Sequence, residues 1–241
     1  MVVITNIERT DGWPTNEEYP NNKFDSSGYS KFCIDTWKTY CDNLGIPLKI
    51  LTEDKYIHPH FSYLSVFDEV HVDKVIVVDV DTMINPNTPN LLKLFDGTLT
   101  VVRDSGRLDG IIPKRMSINV NDFDSKFQYQ IDKTKFFNTG VMMFHRNHEN
   151  FLNKCKRWVH KNYEKISKWT KESKTRLDQI PFNHFVQKNN ISLNFLDSRY
   201  NRTGLLRDGL NPLDNYIIHF KGPKPPPKIT NMKNIYRKTN W

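Results

Sequence analysis

Two carboxylates stand at the end of the most apolar segment of the sequence. Residues 74–78 read Lys-Val-Ile-Val-Val, and Asp79 and Asp81 follow. Residues i and i+2 of a strand point to the same side, and ligands of open α/β sheets lie beyond the carboxyl ends of the strands. Two carboxylates repel each other unless a cation lies between them, and oxygen ligands favour Mg²⁺, Mn²⁺ or Ca²⁺. The pair predicts a divalent-metal site, although so short a pattern also fits a loop cap at Asp79 and a solvated Asp81.

Strands and helices alternate along the chain around this pair. Apolar runs predict strands at residues 2–5, 48–51, 74–79, 99–102, 136–144, 193–196 and 216–220. Helical spacing predicts helices at residues 29–44, 61–70, 88–95, 151–169 and 178–187. Irregular structure is predicted for residues 8–28, 104–135 and 222–241. This order predicts the α/β class: a single Rossmann-like domain over residues 1–241, with a mostly parallel central sheet flanked by helices.

The composition is that of a folded domain. The chain has 241 residues, of which 37% are hydrophobic and 12% aromatic, and this excludes disordered, collagen-like and coiled-coil proteins. The three cysteines form no CxxC pair, which suits a reducing compartment. No run of 18 apolar residues is present, so no membrane span is expected. The sequence therefore predicts a soluble, cytoplasmic protein.

The net charge of +8 is unevenly distributed. Residues 1–150 hold 16 Lys and Arg against 21 Asp and Glu, whereas residues 151–241 hold 19 against 6. Residues 154–176 alone contain nine Lys and Arg and two Glu. Such a segment fits a surface for nucleic acid or anionic lipid, but it more often forms the solvated face of an amphipathic helix. No nucleic-acid-binding module is recognisable, so nucleic acid is not a predicted partner.

Four blocks of sequence together resemble one enzyme family. They are Asp-Lys-Val-Ile-Val-Val-Asp-Val-Asp-Thr (73–82), Phe-Asn-Thr-Gly-Val-Met-Met-Phe (137–144), Leu-Asp-Gln with Phe-Asn after it (177–183), and Ile-His-Phe-Lys-Gly-Pro-Lys-Pro (218–225). In this order they resemble the GT-A fold glycosyltransferases of family 8, the glycogenin and lipopolysaccharide galactosyltransferase group. The resemblance covers nearly the whole chain. It implies a metal-dependent, retaining transfer from a UDP-sugar such as UDP-glucose or UDP-galactose to an acceptor hydroxyl.

The resemblance implies which residues hold the metal and the diphosphate. His219 would join Asp79 and Asp81 as a ligand, and this mixed set favours Mn²⁺ over Ca²⁺, with Mg²⁺ also possible. Gly222 would let the backbone approach a phosphate, and Lys224 would supply a charge to it. The family places this lysine six residues after the histidine, whereas Lys224 follows His219 by five. Lys221 is therefore an alternative.

The resemblance also implies a site for the donor sugar. Asn138 and Asp178 would form hydrogen bonds with the sugar, and Gln179 would lie beside its anomeric carbon. Asp178 and Gln179 are the predicted catalytic residues, and no nucleophile is assigned. Thr139 and Gly140 belong to the same site, where a small residue lets a sugar approach the backbone. Asp178 equally fits a helix N-cap.

The nucleoside end of the donor is assigned in the same way. Thr5 and Asn6, at the end of the first strand, match the place where the family binds uridine. Asp79 and Val80 fall where the ribose is expected. The resemblance therefore implies a nucleotide site that spans the ends of two strands.

The chain departs from the family pattern at a position that helps to hold the donor sugar. The family usually carries a Lys or Arg in the helix before the metal motif, where this chain has only His58 and His60. Arg103 and Arg107 follow the strand at residues 99–102 and are substitutes for that cation. If either faces the sugar, UDP-glucuronate becomes as plausible as UDP-glucose or UDP-galactose.

Two other functions remain open at the sequence level. A haloacid dehalogenase-like phosphatase would use Asp79 as nucleophile, but its D-x-D-x-[TV] motif is imperfect because Thr82 comes one position early and Met83 follows. A non-catalytic module that binds polyanions would use the basic second half of the chain.

The acceptor of a glycosyltransferase, whether a saccharide, a lipid-linked sugar or a protein, has no readable signal in the sequence. A monomer and a homodimer are equally compatible with the sequence.

Overall fold

The strands and helices of the chain follow one another in the predicted alternation. The structure, a computed structural model, describes residues 1–5, 30–51, 58–104, 112–175, 177–203, 211–220 and 227–239. The strands are β1 Val2–Thr5, β2 Leu48–Ile50, β3 Lys74–Asp79, β4 Thr82–Ile84, β5 Leu99–Arg103, β6 Phe137–His145, β7 Leu193–Leu196, β8 Arg202–Thr203 and β9 Ile217–His219. The helices are α1 Ser30–Leu44, α2 Val66–Glu69, α3 Lys114–Phe127, α4 Glu149–Ser173, α5 Gln179–Lys188 and α6 Pro227–Thr239.

A six-stranded sheet forms the centre of the molecule. Its strand order is β2-β1-β3-β6-β5-β7. Strands β1, β2, β3, β5 and β7 run in the same direction, and β6 runs against its neighbours β3 and β5. The predicted α/β class with a mostly parallel, Rossmann-like sheet is confirmed. Strand β3 lies in the middle of the sheet, between the parallel strand β1 and the antiparallel strand β6.

Both faces of this sheet are buried, and strand β3 shows how. Val75 and Val77 pack into the core on the side of α3, α4 and α5. Ile76 and Val78 pack into a second core with α1, α6 and the strands β4 and β9. A strand with two buried faces needs apolar residues at every position. This explains the absence of polar alternation before Asp79.

A second, three-stranded sheet has the order β4-β9-β8. Strand β9 runs antiparallel to β4 and parallel to β8, with Thr82 opposite His219. The backbone N–H of Phe220 donates to the carbonyl of Asp81 at 2.9 Å. This small sheet therefore brings the end of β9 to the turn that follows β3.

Helix α3 corrects the prediction that residues 104–135 are irregular. Met116, Val120, Phe123 and Phe127 recur at helical spacing, and Val120 and Phe123 are fully buried. Phe123 packs edge-on against the Trp169 ring, with 4.8 Å between the centroids. The sequence signal was weak because Asn, Asp and Ser, which have low helix propensity, fill much of the exposed face. Packing against α4 provides the stability that propensity does not.

Two predicted helices are shorter and tighter than expected. Residues 61–70 begin as a 3₁₀ helix, Pro59–Ser65, and only α2 continues as an α-helix. The second, predicted for residues 88–95, is reduced to one 3₁₀ turn, Leu91–Lys93. The side chain of Asn90 caps this turn by accepting a hydrogen bond from the Leu92 N–H. The Thr88 hydroxyl donates instead to the Tyr216 carbonyl.

The carboxyl-terminal segment also differs from the prediction of an irregular tail. Residues 227–239 form α6, which starts at Pro227, a residue that fits the first turn of a helix. Met232 and Ile235 are buried, and Tyr236 packs edge-on against Phe32 of α1 with 5.2 Å between the ring centroids. Residues 222–226 and the loop predicted at residues 8–28 lie outside the described residues.

The basic segment forms much of α4, a 25-residue helix. Its apolar side is buried at Phe151, Cys155, Val159, Ile166 and Trp169, whereas Trp158 is only partly buried. The exposed cations of the helix include Lys154, Arg157, Lys161, Lys168 and Lys171. The arrangement is that of an amphipathic core helix with a solvated basic face.

His184 on α5 lies among aromatic rings. Its own ring stacks on Trp158 with 5.4 Å between the centroids, and it also contacts the rings of Phe123, Phe127 and Tyr129. The side chain is 1% exposed, and neither ring nitrogen has a hydrogen-bond partner among the described residues. Burial, with a smaller effect of Lys188, lowers the pKa of His184 from 6.5 to about 4.

This environment predicts acid sensitivity. The unfolded chain binds a proton at His184 below pH 6.5 while the folded chain does not until about pH 4. The free energy of unfolding should therefore fall as the pH drops through this window, by up to about 1.4 kcal/mol per pH unit from this residue. Urea unfolding at several pH values should show that the free energy of unfolding falls less steeply with decreasing pH in His184→Leu than in wild type. The control is His160→Leu, which changes an exposed residue of α4; equal slopes in all three proteins would contradict the prediction.

Candidate functional site

The two carboxylates of the metal motif lie at a tight turn. Strand β3 ends at Asp79, and Asp81 precedes β4, so Asp81 is part of the turn and not of the strand. The Thr82 hydroxyl closes the turn by donating to the Asp79 carbonyl at 2.7 Å, and the Trp37 indole donates to that hydroxyl at 3.0 Å. Asp79 and Asp81 are buried, 9% and 8% exposed. Both carboxylates nonetheless face the same neighbour, His219.

His219 completes a compact group of possible metal ligands. Its Nε2 atom lies 3.0 Å from an oxygen of Asp81 and 3.6 Å from an oxygen of Asp79. Ligand atoms of the three residues lie within 4.8 Å of one another. The histidine is the last residue of β9 in the small second sheet. Two carboxylates and one imidazole on a buried surface suit a divalent cation such as Mn²⁺ or Mg²⁺.

Gly140 lies against the imidazole of His219. A Cβ atom at this position would be closer than 3.0 Å to Cε1 and Nδ1 of His219 and 2.9 Å from Oδ1 of Asn138. The resemblance implied that this glycine lets a sugar approach the backbone. In the structure, the ring of the metal-site histidine occupies the space beside the backbone.

Asn138 and Gln179 belong to a continuous chain of side-chain hydrogen bonds. Asn138 donates to Oε1 of Gln179 at 2.9 Å, and Gln179 donates to an oxygen of Asp104 at 2.6 Å. All three side chains are buried. Asp104 is not among the predicted site residues. It directly follows β5, and Asp79 ends β3, which runs in the same direction. The rule that such positions meet at one edge of a sheet would have found it.

Asp178 lies beside this chain at the start of α5. One of its oxygens accepts from the Thr139 hydroxyl at 2.8 Å, and the other lies 3.5 Å from Nδ1 of His60. The side chain makes no capping hydrogen bond to α5. Asp178 occupies the N-cap position of α5, as the alternative had it, but its carboxylate contacts Thr139 and His60. In the sequence, His60 stands out only because it occurs where the family usually carries a Lys or Arg. No periodic pattern marks it as a site residue.

The remaining predicted residues divide into three groups. Thr5 is buried, its hydroxyl donates to the Val78 carbonyl, and its own carbonyl accepts from the Val80 N–H at 3.1 Å, so these two residues lie beside Asp79. Arg103 is not brought to the cluster: its guanidinium lies 4.0 Å from the centre of the Phe195 ring. Outside the described residues are Asn6, Arg107, Lys221, Gly222 and Lys224.

Solved structures share this fold over nearly the whole chain. A glycosyltransferase involved in the glycosylation of the major capsid of PBCV-1 superposes with a TM-score of 0.59 at 12% identity, covering 97% of this chain and 98% of its own. The galactosyltransferase LgtC, solved with donor and acceptor sugar analogues, gives 0.56 at 13% identity, with 99% and 95% covered. The glycosyltransferase GlyE of Streptococcus pneumoniae gives 0.50 at 14% identity, with 99% and 63% covered. The fold is therefore the GT-A fold of glycosyltransferases.

Sequence comparison gives the family. The profile described as glycosyl transferase family 8 matches residues 26–226. The chain belongs to this family, and it is a glycosyltransferase. No curated protein matches the chain by sequence. The phosphatase hypothesis, with Asp79 as nucleophile, is not favoured by these findings.

The structure also bears on the predicted absence of a membrane span. Within the described residues, no helix combines the length and the apolar character that crossing a bilayer requires.

Proposed function

We propose that this chain, as a single GT-A domain, transfers a sugar from a UDP-sugar donor to an acceptor hydroxyl, with a divalent cation and with retention of anomeric configuration. The observation that carries the proposal is the convergence of Asp79, Asp81 and His219 at the edge of the main sheet, beside the buried polar group of Asn138, Asp178 and Gln179. Family membership and the GT-A fold support the reaction class.

The metal site fits the chemistry that the reaction needs. Two carboxylates and one imidazole nitrogen are a suitable set for Mn²⁺, which we propose as the ion, with Mg²⁺ as the alternative. A cation bound there would offset the negative charge that develops on the diphosphate leaving group. Gly222 and Lys224 are proposed to contact the same diphosphate, and Thr5, Asn6 and Val80 the nucleoside.

The chain's own residues would bind and orient the sugar. Asp178 is directed by Thr139 and His60, and it is placed to accept a hydrogen bond from a sugar hydroxyl. Both ends of the Gln179 amide are engaged by Asn138 and Asp104, so this side chain is held rigid beside the site. Rigid positioning of a reactant lowers the entropic cost of reaching the transition state.

The reaction would proceed on one face of the sugar. The acceptor oxygen forms a bond to the anomeric carbon as the bond from that carbon to the phosphate oxygen breaks. The proton of the acceptor hydroxyl passes to the departing phosphate, so no protein nucleophile is required. A neutral, hydrogen-bonded Gln179 agrees with this route better than with covalent catalysis, because an amide is a weak nucleophile.

UDP-glucose and UDP-galactose are the proposed donors. Arg103 and Arg107 were the two residues that could favour UDP-glucuronate, and the guanidinium of Arg103 lies over the Phe195 ring. Arg107 lies outside the described residues, so UDP-glucuronate stays a third candidate donor.

A panel of UDP-sugars tests the proposal without knowledge of the acceptor. We expect hydrolysis of at least one UDP-hexose in Mn²⁺, and none when EDTA replaces the metal. GDP-mannose serves as the control donor and should remain intact. No hydrolysis of any UDP-sugar, or the same rate in EDTA, would overturn the proposal; tight polyanion binding without hydrolysis would favour the non-catalytic module.

A further inference from the structure

The carboxamide of Asn201 lies between two residues of the site. Its Nδ2 is 2.7 Å from Oδ1 of Asn138, and its Oδ1 is 3.0 Å from Nδ1 of His219. The side chain is 5% exposed and belongs to the 3₁₀ helix Ser198–Asn201, directly before β8. Since Thr203 of β8 pairs with His219 of β9, the sheet register holds this segment beside the histidine.

A single backbone N–H determines the orientation of both amides. The Gly140 N–H donates to Asn138 at 2.9 Å, and an N–H can only donate, so the atom that it contacts is the amide oxygen. The Asn201 atom that faces this oxygen must then be the nitrogen, because two oxygens would repel. Oδ1 of Asn201 is consequently directed at His219.

The orientation of the amides determines which nitrogen of His219 carries hydrogen. Nδ1 lies 3.1 Å from Oδ1 of Asn138 and 3.0 Å from Oδ1 of Asn201. Both neighbours are acceptors, so Nδ1 must be the donor. Nε2 is the nitrogen that faces Asp79 and Asp81. A histidine binds a metal through a nitrogen without a proton, and the hydrogen bond of the other nitrogen selects it.

We propose that Asn201 is a positioning residue of the metal site: it holds the hydrogen of His219 on Nδ1 and thereby presents Nε2 to the divalent cation. This inference rests on the metal site of the proposed function. Asn138 makes a similar contact, but it also donates to Gln179. Asn201 is the more selective probe because the hydrogen bonds described for its side chain lead only to Asn138 and His219.

The test is the affinity for Mn²⁺ in the presence of UDP, measured by titration of wild type and Asn201→Leu. We expect the variant to bind Mn²⁺ about 10- to 100-fold more weakly, the usual effect of losing a partner of a metal ligand. Asn201→Ser, which is small and cannot reach both partners, should show the same loss and serves if the leucine variant does not fold. Asn215→Leu is the matched control, since Asn215 is also 5% exposed and donates to the Asn211 carbonyl. Its affinity for Mn²⁺ should equal that of wild type.

A double-mutant cycle separates positioning from general stability. If Asn201 acts through His219, then Asn201→Leu should weaken Mn²⁺ binding no further once His219 is alanine. Additive losses in the double variant, or unchanged Mn²⁺ affinity in both Asn201 variants, would overturn the inference. Absence of Mn²⁺ binding by wild type would instead overturn the proposed function.

Discussion

Asp81→Asn is expected to lower Mn²⁺-dependent hydrolysis of the UDP-sugar donor by at least about 100-fold. The substitution keeps the shape of the side chain but removes the negative charge that lies 3.0 Å from Nε2 of His219. The amide is a poorer metal ligand than the carboxylate, and a weakly held cation no longer offsets charge on the leaving group. The measurement is the hydrolysis rate at saturating donor over a series of Mn²⁺ concentrations.

The control for this variant is Asp73→Asn. Asp73 is an exposed carboxyl immediately before β3, so its loss changes the charge of the chain equally without touching the site. We expect Asp73→Asn to have the wild-type rate, and both variants to unfold near the wild-type temperature. Wild-type hydrolysis by Asp81→Asn, or equal losses in the two variants, would contradict the assignment of Asp81 as a metal ligand.

Gly140→Ala is expected to disturb the site through sterics alone. The added Cβ would lie closer than 3.0 Å to two ring atoms of His219, which is 1% exposed and has little room to move. We expect a loss of about 1–3 kcal/mol in the free energy of unfolding, typical of overpacking. Displacement of the ring should also weaken Mn²⁺ binding, as titration with UDP present would show.

Removing the imidazole should relieve the loss of stability caused by Gly140→Ala, but it should not restore Mn²⁺ binding. In Gly140→Ala combined with His219→Ala, the clash with the ring is absent. Adding Gly140→Ala to His219→Ala should therefore lower the free energy of unfolding by less than adding it to wild type. Mn²⁺ binding should remain weak because the ligand is gone. If the two substitutions destabilise the chain additively, then the contact between Gly140 and His219 does not determine the stability of this region.

The sequence predicts the parts of the site that depend on buried strands. Strand β3 is apolar on both faces, and Asp79 and Asp81 end that run, so their location at the edge of the sheet follows from pattern alone. His219 was found through its resemblance to a family motif. Its pairing opposite Thr82 depends on the second sheet, which contains strands of only two and three residues. Such short strands give almost no periodic signal.

Other parts of the site depend on contacts between residues far apart in the chain. His60 and Asn201 are single polar residues with no motif, and they become recognisable only when Asp178 and His219 lie beside them. Helix α3 was missed for a related reason. Its buried side is defined by α4, which follows it in the chain, and its own residues favour helix weakly.

The uneven charge of the sequence acquires a partial explanation. Acidic residues of the first half, Asp79 and Asp81, meet His219 from the second half in one cluster. Six of the 19 Lys and Arg of that half are lysines of α4, and most of the six are exposed on its solvated face. Net charge therefore says little about this protein, whereas the position of a few charges defines its candidate site.

Calorimetry of UDP binding tests the central claim most directly. UDP would be titrated into wild type and Asp81→Ala, each in Mn²⁺ and in EDTA. We predict tight binding only for wild type in Mn²⁺, because the cation held by Asp79, Asp81 and His219 would bridge the protein to the diphosphate. Equal affinity for UDP in all four titrations would contradict a metal-dependent nucleotide-sugar site.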